Sequence, residues 1–142
     1  MLFEQLVDWV KQNYGDAKKI VEVGVGHRID VAQRISEALP HAEILVTDKD
    51  ESWVRSRRPG RIRAVADDVL TPNFNVYRGA SLMYSLNPPG EIMPALEKLA
   101  DRVGADLLVV PISDELHELG EDKWQELVIR GRIIGWLVNK RI

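Results

Sequence analysis

Glycines, acids and an amide follow four successive segments of the chain that have the pattern of buried strands. Glu22–Gly26 closes the first segment, Asp48 the second, Asp67 and Asp68 the third, and Asn87–Pro89 the fourth. In an open parallel sheet, ligands bind outside the carboxyl ends of the strands, near the point where the strand order switches. We therefore expect these four strand ends to line one binding site.

Gly24 and Gly26 directly follow the first segment and precede a predicted helix. Glycine lets the backbone turn tightly and lets a ligand approach without meeting a Cβ. The unpaired N–H groups of the helix that follows favour a carboxylate or a phosphate. A dinucleotide-binding loop needs a third small residue where this chain has Ile29, which counts against NAD and FAD. The alternative is a purely structural turn, and His27 is open to the same two interpretations.

Asp48 ends the second segment, in register with the glycine turn. A carboxylate at this place can accept hydrogen bonds from both ribose hydroxyls of a nucleoside, each worth about 1.5–3 kcal/mol. The alternative is that Asp48 caps the next short helix, a common role of aspartate. Asp67 and Asp68 are likewise either binding residues or turn and cap residues before Pro72.

The elements that must position these residues alternate along the chain. Hydrophobic spacing predicts helices over about residues 2–13, 28–39 and 91–103, with a short helix or loop around Trp53. Buried strands are predicted at 19–23, 44–47, 62–66, 80–86 and 106–112. Two apolar stretches, Trp124–Ile129 and Ile133–Val138, flank a turn at Gly131 and predict an antiparallel hairpin, with a helix as the alternative. The pattern predicts one α/β domain over residues 1–142, with a Rossmann-like, doubly wound, mostly parallel sheet.

Composition excludes several classes of site. The chain has 142 residues, 45% of them hydrophobic and 29% charged, which is typical of a globular protein. It has no cysteine, and its three histidines stand far apart, so we expect no disulfide and no metal. The amino-terminal residues include acids where a signal peptide would be apolar, and the apolar runs are too short to span a bilayer. We expect a cytoplasmic protein.

Two features raise the question of partners. Five arginines surround Pro59-Gly60: Arg55, Arg57, Arg58, Arg61 and Arg63. They could bind RNA phosphates. The alternative is a solvated loop whose positive charges offset neighbouring acids. The formal charge of −3 argues against a broad nucleic-acid surface. The apolar stretch from Trp124 to Val138 could cover a sheet edge or form a homodimer contact, with core packing as the alternative.

The motifs together resemble an uncharacterised archaeal family of small, Rossmann-like proteins similar to class I methyltransferases. The segments that carry the resemblance are Glu22–Gly26, Thr47-Asp48, Asp67–Val69, Tyr77–Ala80, Tyr84–Pro89 and Arg130–Arg132. The resemblance covers nearly the whole chain and implies a pocket for S-adenosylmethionine. It implies no methyl acceptor.

The resemblance also implies roles for individual residues. The loop reads acid, any residue, Gly, any residue, Gly, which Glu22, Gly24 and Gly26 match, whereas Arg28 stands where a third glycine is common. Asp48 corresponds to the ribose-binding acid. Asp68, or alternatively Asp67, corresponds to the acid beside the adenine amino group.

Asn87-Pro88-Pro89-Gly90 is similar to the Asn-Pro-Pro-aromatic motif of methyltransferases that act on amino groups. There the Asn side chain accepts a hydrogen bond from the target amine and the aromatic ring stacks on it. Gly90 replaces the aromatic residue here, and the Tyr84 ring could take its place. The alternative is a stiff loop that ends the strand.

These observations predict a protein that binds S-adenosylmethionine and transfers its methyl group to an unknown acceptor. The alternative is a non-catalytic sensor or partner subunit, because few residues remain beyond the core to form a substrate lid.

Overall fold

The computed structural model describes residues 2–26, 28–57, 60–111 and 124–138. His27, Arg58, Pro59 and the last residue of the strand predicted at 106–112 lie outside the described residues.

Helices and strands alternate along the first 110 residues. The helices are α1 (Leu2–Asn13), α2 (Asp30–Ala38), α3 (Glu51–Ser56), α4 (Phe74–Tyr77) and α5 (Met93–Val103), the last preceded by a 3₁₀ turn at Gly90–Ile92. The strands are β1 (Lys19–Val23), β2 (Glu43–Asp48), β3 (Arg63–Ala66), β4 (Leu82–Leu86), β5 (Asp106–Val110), β6 (Gln125–Ile129) and β7 (Arg132–Val138).

In the described part of the chain, seven strands form one sheet in the order β3-β2-β1-β4-β5-β7-β6. Strands β1 to β5 are parallel, β7 runs antiparallel to β5, and β6 pairs antiparallel with β7. The chain proceeds outward from β1 to β3 and then returns to place β4 on the other side of β1. The order therefore switches between β1 and β4, which is where a doubly wound sheet opens a crevice. The predicted α/β, doubly wound, mostly parallel fold with a carboxyl-terminal hairpin is confirmed.

Helices cover both faces of the sheet because successive strand side chains point to opposite sides. Ile20 joins a core beneath α1 and α2, which includes Leu6 and Ile35. Val21 joins a second core beneath α5, which includes Leu96. The buried runs read from the sequence are thus strands buried on both faces, as parallel strands between helix layers must be.

The hairpin turns at Arg130 and Gly131, whose φ angles are 51° and 78°. Two successive positive φ angles are typical of a two-residue type I′ turn, which matches the twist of the paired strands. Ile129 pairs with Arg132 across this turn. The helix alternative for this region is therefore wrong.

One element was not predicted. Helix α4 has four residues, with the Asn73 side chain as its amino-terminal cap, accepting a hydrogen bond from the Asn75 N–H at 3.1 Å. A single turn is too short to show helical periodicity. In the described residues, no helix has the length and apolarity that crossing a membrane requires.

Candidate functional site

The glycine loop after β1 is tied to the end of β2. Gly24 and Gly26 have φ angles of +67° and +62°, a region that residues with a Cβ rarely adopt. The Val25 N–H donates to the Thr47 carbonyl oxygen at 2.9 Å, and the Gly26 N–H donates to Asp48 Oδ2 at 2.9 Å. A Cβ on Gly24 would meet no atom within 4 Å, so the backbone here borders open space. The loop conformation therefore requires glycine and leaves room for a ligand.

Asp48 is half-buried and anchors the turn on both sides. Its Oδ2 accepts from Gly26, and its Oδ1 accepts from the Asp50 N–H at 2.9 Å. The cap of α3 is Asp50, whose Oδ1 accepts from the Trp53 N–H at 3.1 Å. The alternative role of Asp48 as that cap is therefore wrong. A carboxylate offers about four acceptor sites, so these two bonds leave capacity for hydroxyl donors.

Asp67 and Asp68 lie at the end of β3 but differ in their partners. Asp67 accepts from the Asn73 N–H at 3.0 Å and from the Tyr77 hydroxyl at 2.6 Å, so both of its oxygens help to hold α4. Asp68 Oδ1 accepts from the Leu70 N–H at 3.0 Å, a local turn contact. Both acids therefore have a structural role, and that of Asp67 is the more extensive.

Two cavities lie beside the glycine loop and share Gly24, Leu86 and Asn87. The first, which we call the acid-lined cavity, has a volume of about 220 Å³ and is walled by the ends of β1 to β4 and the 3₁₀ turn before α5. Its lining includes Asp48, Lys49, Asp67, Asp68, Val69, Leu70, Pro88, Pro89 and Ile92. The second, which we call the loop cavity, has a volume of about 270 Å³ and includes Phe3, Val25, Gly26, Arg28, Asp30 and Val31. The structure thus brings together Gly24, Gly26, Asp48, Asp67, Asp68 and Asn87.

Asn87 stands where the two cavities meet. Its φ angle is 51°, and its N–H donates to the Val110 carbonyl oxygen at 2.7 Å. Asparagine is among the residues that tolerate this left-handed conformation, which is uncommon for other residues with a Cβ. Pro88, which follows it, is buried. The loop after β4 is thus fixed in a conformation that places Asn87 in the wall of both cavities.

Glu22 and Tyr84 lie beneath the site. They are paired neighbours on β1 and β4, each 1% exposed, and the Tyr84 hydroxyl donates to Glu22 Oε1 at 2.8 Å. Burial raises the pKa of Glu22 to about 8, although the hydrogen bond from Tyr84 partly opposes this rise. Neither side chain is among the described residues that line the two cavities. Glu22 and Tyr84 therefore lie where they can support the glycine loop from below. Because Tyr84 is buried, the structure does not fit the hypothesis that its ring stacks on an acceptor.

Sequence reasoning missed three residues of the loop cavity. The sequence predicts no site role for Phe3 or Asp30, and Arg28 stands out only as a departure from the glycine pattern. The Arg28 guanidinium lies 5.9 Å from the centre of the Phe3 ring. The acid in the first turn of α2 was the available signal for Asp30, whereas the approach of α1 to the loop depends on tertiary packing.

Two arginines of the cluster, Arg57 and Arg61, contact other parts of the protein. Arg61 donates to Ser36 Oγ at 2.6 Å and to the carbonyl oxygens of Leu39 and Ala42, beyond the end of α2. Arg57 lies over the Trp53 ring at 5.5 Å. These contacts give Arg57 and Arg61 a structural role, and RNA binding by the cluster stays a prediction. Among the described residues, no group of three or more His, Cys, Asp or Glu side chains is placed to hold a metal ion.

The model of the uncharacterised protein family UPF0146 matches residues 3–128. The chain belongs to this family. A UPF0146 protein of Archaeoglobus fulgidus is 37% identical over 118 residues, covering 83% of this chain and 85% of its own. One of Methanothermobacter thermautotrophicus is 30% identical over 131 residues, covering 92% and 90%. The predicted membership of an archaeal family is confirmed.

Solved structures of methyltransferases share the fold of this UPF0146 chain. The S-adenosylmethionine-dependent methyltransferase SibL superposes with a TM-score of 0.61 at 16% identity, covering 94% of this chain and 53% of its own. The plantazolicin methyltransferase BpumL, in complex with a pentazolic desmethylPZN analog and SAH, has a TM-score of 0.61 at 13% identity, covering 78% and 46%. The chain thus spans about half the length of these two enzymes. At such low identity the likeness shows the fold, which is that of class I methyltransferases.

Proposed function

We propose that this protein binds S-adenosylmethionine in the crevice between β1 and β4. The observation that carries the proposal is the 2.9 Å hydrogen bond between the Gly26 N–H and Asp48 Oδ2. This bond joins the glycine loop to the carboxylate at the end of β2, at the switch in strand order where doubly wound sheets bind ligands. SAH-bound methyltransferases with the same fold support this choice of ligand.

The acid-lined cavity fits the nucleoside part of the ligand. Val69, Leu70 and Ile92 supply apolar surface for a base. Asp48 would accept hydrogen bonds from the ribose hydroxyls. Asp68, or alternatively Asp67, would accept from the adenine amino group, because both line this cavity and a carboxylate that accepts one or two bonds keeps further acceptor sites. The two adjoining cavities together offer a space of the size that cofactor pockets usually have, about 300–1,000 Å³.

Glu22 would act on the ligand through the loop. Its buried carboxyl group bonds Tyr84 rather than facing either cavity. Since the Glu22 backbone leads directly into Val23 and Gly24, this contact fixes the strand from which the glycine loop departs. We therefore assign Glu22 and Tyr84 as positioning residues.

A methyltransferase activity is the further part of this proposal. When bound, S-adenosylmethionine supplies an activated methyl group, and its transfer depends mainly on holding donor and acceptor in line. Asn87 borders both cavities and could accept a hydrogen bond from an acceptor amine. The burial of Tyr84 favours the second candidate, a non-catalytic sensor or partner subunit, because the aromatic partner expected for Asn87 is withdrawn from the site.

Calorimetric titration with S-adenosylmethionine tests binding. We expect Asp48→Ala to reduce affinity at least about tenfold, since hydrogen bonds to a carboxylate contribute about 1.5–3 kcal/mol each. Asp50→Ala is the matched control. It removes the cap of α3, two residues away, and should cost about 1 kcal/mol of stability without changing affinity. Equal affinity of the Asp48→Ala and Asp50→Ala proteins would refute the ribose assignment.

Incubation with methyl-labelled S-adenosylmethionine and fractionated archaeal extract separates the two candidates. An enzyme should transfer label to one fraction, and Asn87→Ala should reduce that transfer while leaving affinity for the cofactor within about twofold. Binding without transfer to any fraction would favour the sensor.

A further inference from the structure

Strand β6 forms one edge of the sheet in the described part of the chain, and β3 forms the other. An edge strand presents unpaired backbone N–H and C=O groups and can pair with a strand of another molecule, a contact that lysine or proline on the edge prevents. Residues 125–129 contain neither lysine nor proline. The irregularity between β6 and β7 leaves Ile134 of β7 without a paired residue, whereas the residues of β6 are paired consecutively. The outer edge of β6 is thus open to a further strand.

Two large apolar side chains on this hairpin face solvent. Val128 is 50% exposed and Ile133 is 54% exposed. They are directly paired across β6 and β7, so they lie side by side on one face of the sheet. Leu127 points to the opposite face and is buried in the core beneath α1 and α2. Core packing therefore accounts for Leu127 and leaves Val128 and Ile133 exposed.

Opposite charges flank Val128 along the edge. Glu126 lies two residues before it on β6, and Arg130 lies two residues after it, at the start of the turn. Both of these residues are exposed. None of the ion pairs between described residues includes Glu126 or Arg130. The edge therefore carries a negative, an apolar and a positive side chain in that order, at intervals of two residues.

This order is complementary to itself. A two-fold axis through Val128, perpendicular to the sheet, pairs β6 antiparallel with β6 of a second copy. Val128 then lies opposite Val128, and Leu127 opposite Ile129. Glu126 of each copy lies opposite Arg130 of the other, and opposite charges across a strand pair are stabilising. An axis through Leu127 would set Glu126 against Val128, and an axis through Glu126 would set two like charges against each other.

We propose that this protein forms a two-fold homodimer through β6, with Val128 at the axis and Glu126 of each copy paired with Arg130 of the other. The contact uses the same surface of both copies, as a two-fold interface requires. It joins the two sheets into one and brings the exposed Val128 and Ile133 of each copy together. Because the axis is perpendicular to the sheet, the cofactor crevices of the two copies open in opposite directions. Dimerisation is therefore separable from cofactor binding.

Size-exclusion chromatography with multi-angle light scattering, at about 1–100 µM protein, tests this proposal. We expect a mass twice that of the chain at the highest concentration, which falls on dilution. Val128→Lys places two like charges at the axis and should weaken the dimer at least about tenfold. Since Val128 is half exposed, circular dichroism should show the fold unchanged. Arg63→Glu is the matched control on the opposite edge strand, where Arg63 is 71% exposed, and should leave the dimer intact.

Reversal of the two charges tests the pairing itself. Glu126→Arg alone, or Arg130→Glu alone, sets like charges opposite each other and should weaken the dimer at least about tenfold. The double variant restores opposite charges and should recover wild-type affinity between the copies to within about threefold. A wild type that is monomeric at every concentration would overturn the proposal. So would a dimer that Val128→Lys leaves intact, a dimer that Arg63→Glu weakens equally, or a double variant that does not recover.

Calorimetry with S-adenosylmethionine separates this proposal from the proposed function. Val128→Lys lies on the hairpin, outside the described lining of both cavities, and should bind the cofactor as the wild type does. A wild type that dimerises without binding the cofactor would refute the proposed function and leave the dimer standing. Loss of cofactor binding in Val128→Lys would contradict the separation of the two surfaces and overturn the arrangement proposed for the dimer.

Discussion

The Glu22 carboxyl group makes the stability of this protein depend on pH in a way that can be measured. Glu22 is 1% exposed, and desolvation raises its pKa from an ordinary value of 4.5 to about 8. The nearby Asp30 charge adds to the rise, whereas the Tyr84 hydrogen bond and the Arg28 charge oppose it. At neutral pH the folded protein therefore holds Glu22 mainly in its protonated form.

The direction and size of the effect follow from the two pKa values. Between pH 4.5 and about 8 the folded protein keeps a proton that the unfolded chain has released. The free energy of unfolding therefore falls as the pH rises through this window. Each pH unit lowers it by about 1.4 kcal/mol, and the whole window by about 5 kcal/mol at most. Since domains are stable by only about 5–15 kcal/mol, this is a large effect.

Urea unfolding followed by tryptophan fluorescence, from about pH 5 to about pH 9, measures this dependence. Glu22→Gln keeps the shape of the side chain and an acceptor for Tyr84 but cannot ionise. We expect the wild type to lose stability relative to Glu22→Gln as the pH rises. Tyr84→Phe removes a bond that favours the carboxylate, so its loss should continue to higher pH. Parallel stability profiles for wild type and Glu22→Gln would refute the assignment of a raised pKa.

Two further predictions concern packing. A Cβ on Gly135 would lie 2.7 Å from the Val109 carbonyl oxygen on the neighbouring strand. Gly135→Ala should therefore lower the free energy of unfolding in urea by about 1–3 kcal/mol. The control is Gly60→Ala, which should be nearly neutral because a Cβ there meets open space. Arg61→Met removes the hydrogen bonds to Ser36 and to two carbonyl oxygens beyond α2, and should lower the free energy of unfolding by about 1–3 kcal/mol. The control is Arg55→Met, which should cause no loss because Arg55 is exposed. Unchanged stability of Gly135→Ala or of Arg61→Met would show that the respective contact is dispensable.

Local patterns predicted most elements closely. The helix expected over residues 2–13 is Leu2–Asn13, and the strand expected at 19–23 is Lys19–Val23. Periodicity and strand-ending residues are local properties of the chain, so they can be read without knowledge of the fold. The prediction was poorer where an element is short or where the residues at its ends give no clear start or stop signal. Helix α4 was missed, and β4 begins at Leu82 rather than near residue 80.

The candidate site was predictable in its sheet-end residues and less so in their partners. Asp48 and the glycine loop meet as expected, because parallel strand ends share one edge of the sheet. That Asp50 rather than Asp48 caps α3, and that Asp67 is bound by Tyr77, depend on side-chain geometry over a few ångströms. The arginine cluster shows the same limit, since the contacts of Arg61 with Ser36 lie across 25 residues of chain.

The sequence by itself determined the alternation of strands and helices and the residue types at the strand ends, because both follow from the local spacing of apolar and polar side chains. Only the tertiary structure decided which groups face the cavities. In the folded protein Glu22 and Tyr84 are buried beneath the site, and Phe3 lies beside Arg28. The burial of these side chains and the distances between them are set by strand pairing and helix packing between distant segments. Those long-range contacts depend on several segments together, so they cannot be read from any single position of the sequence.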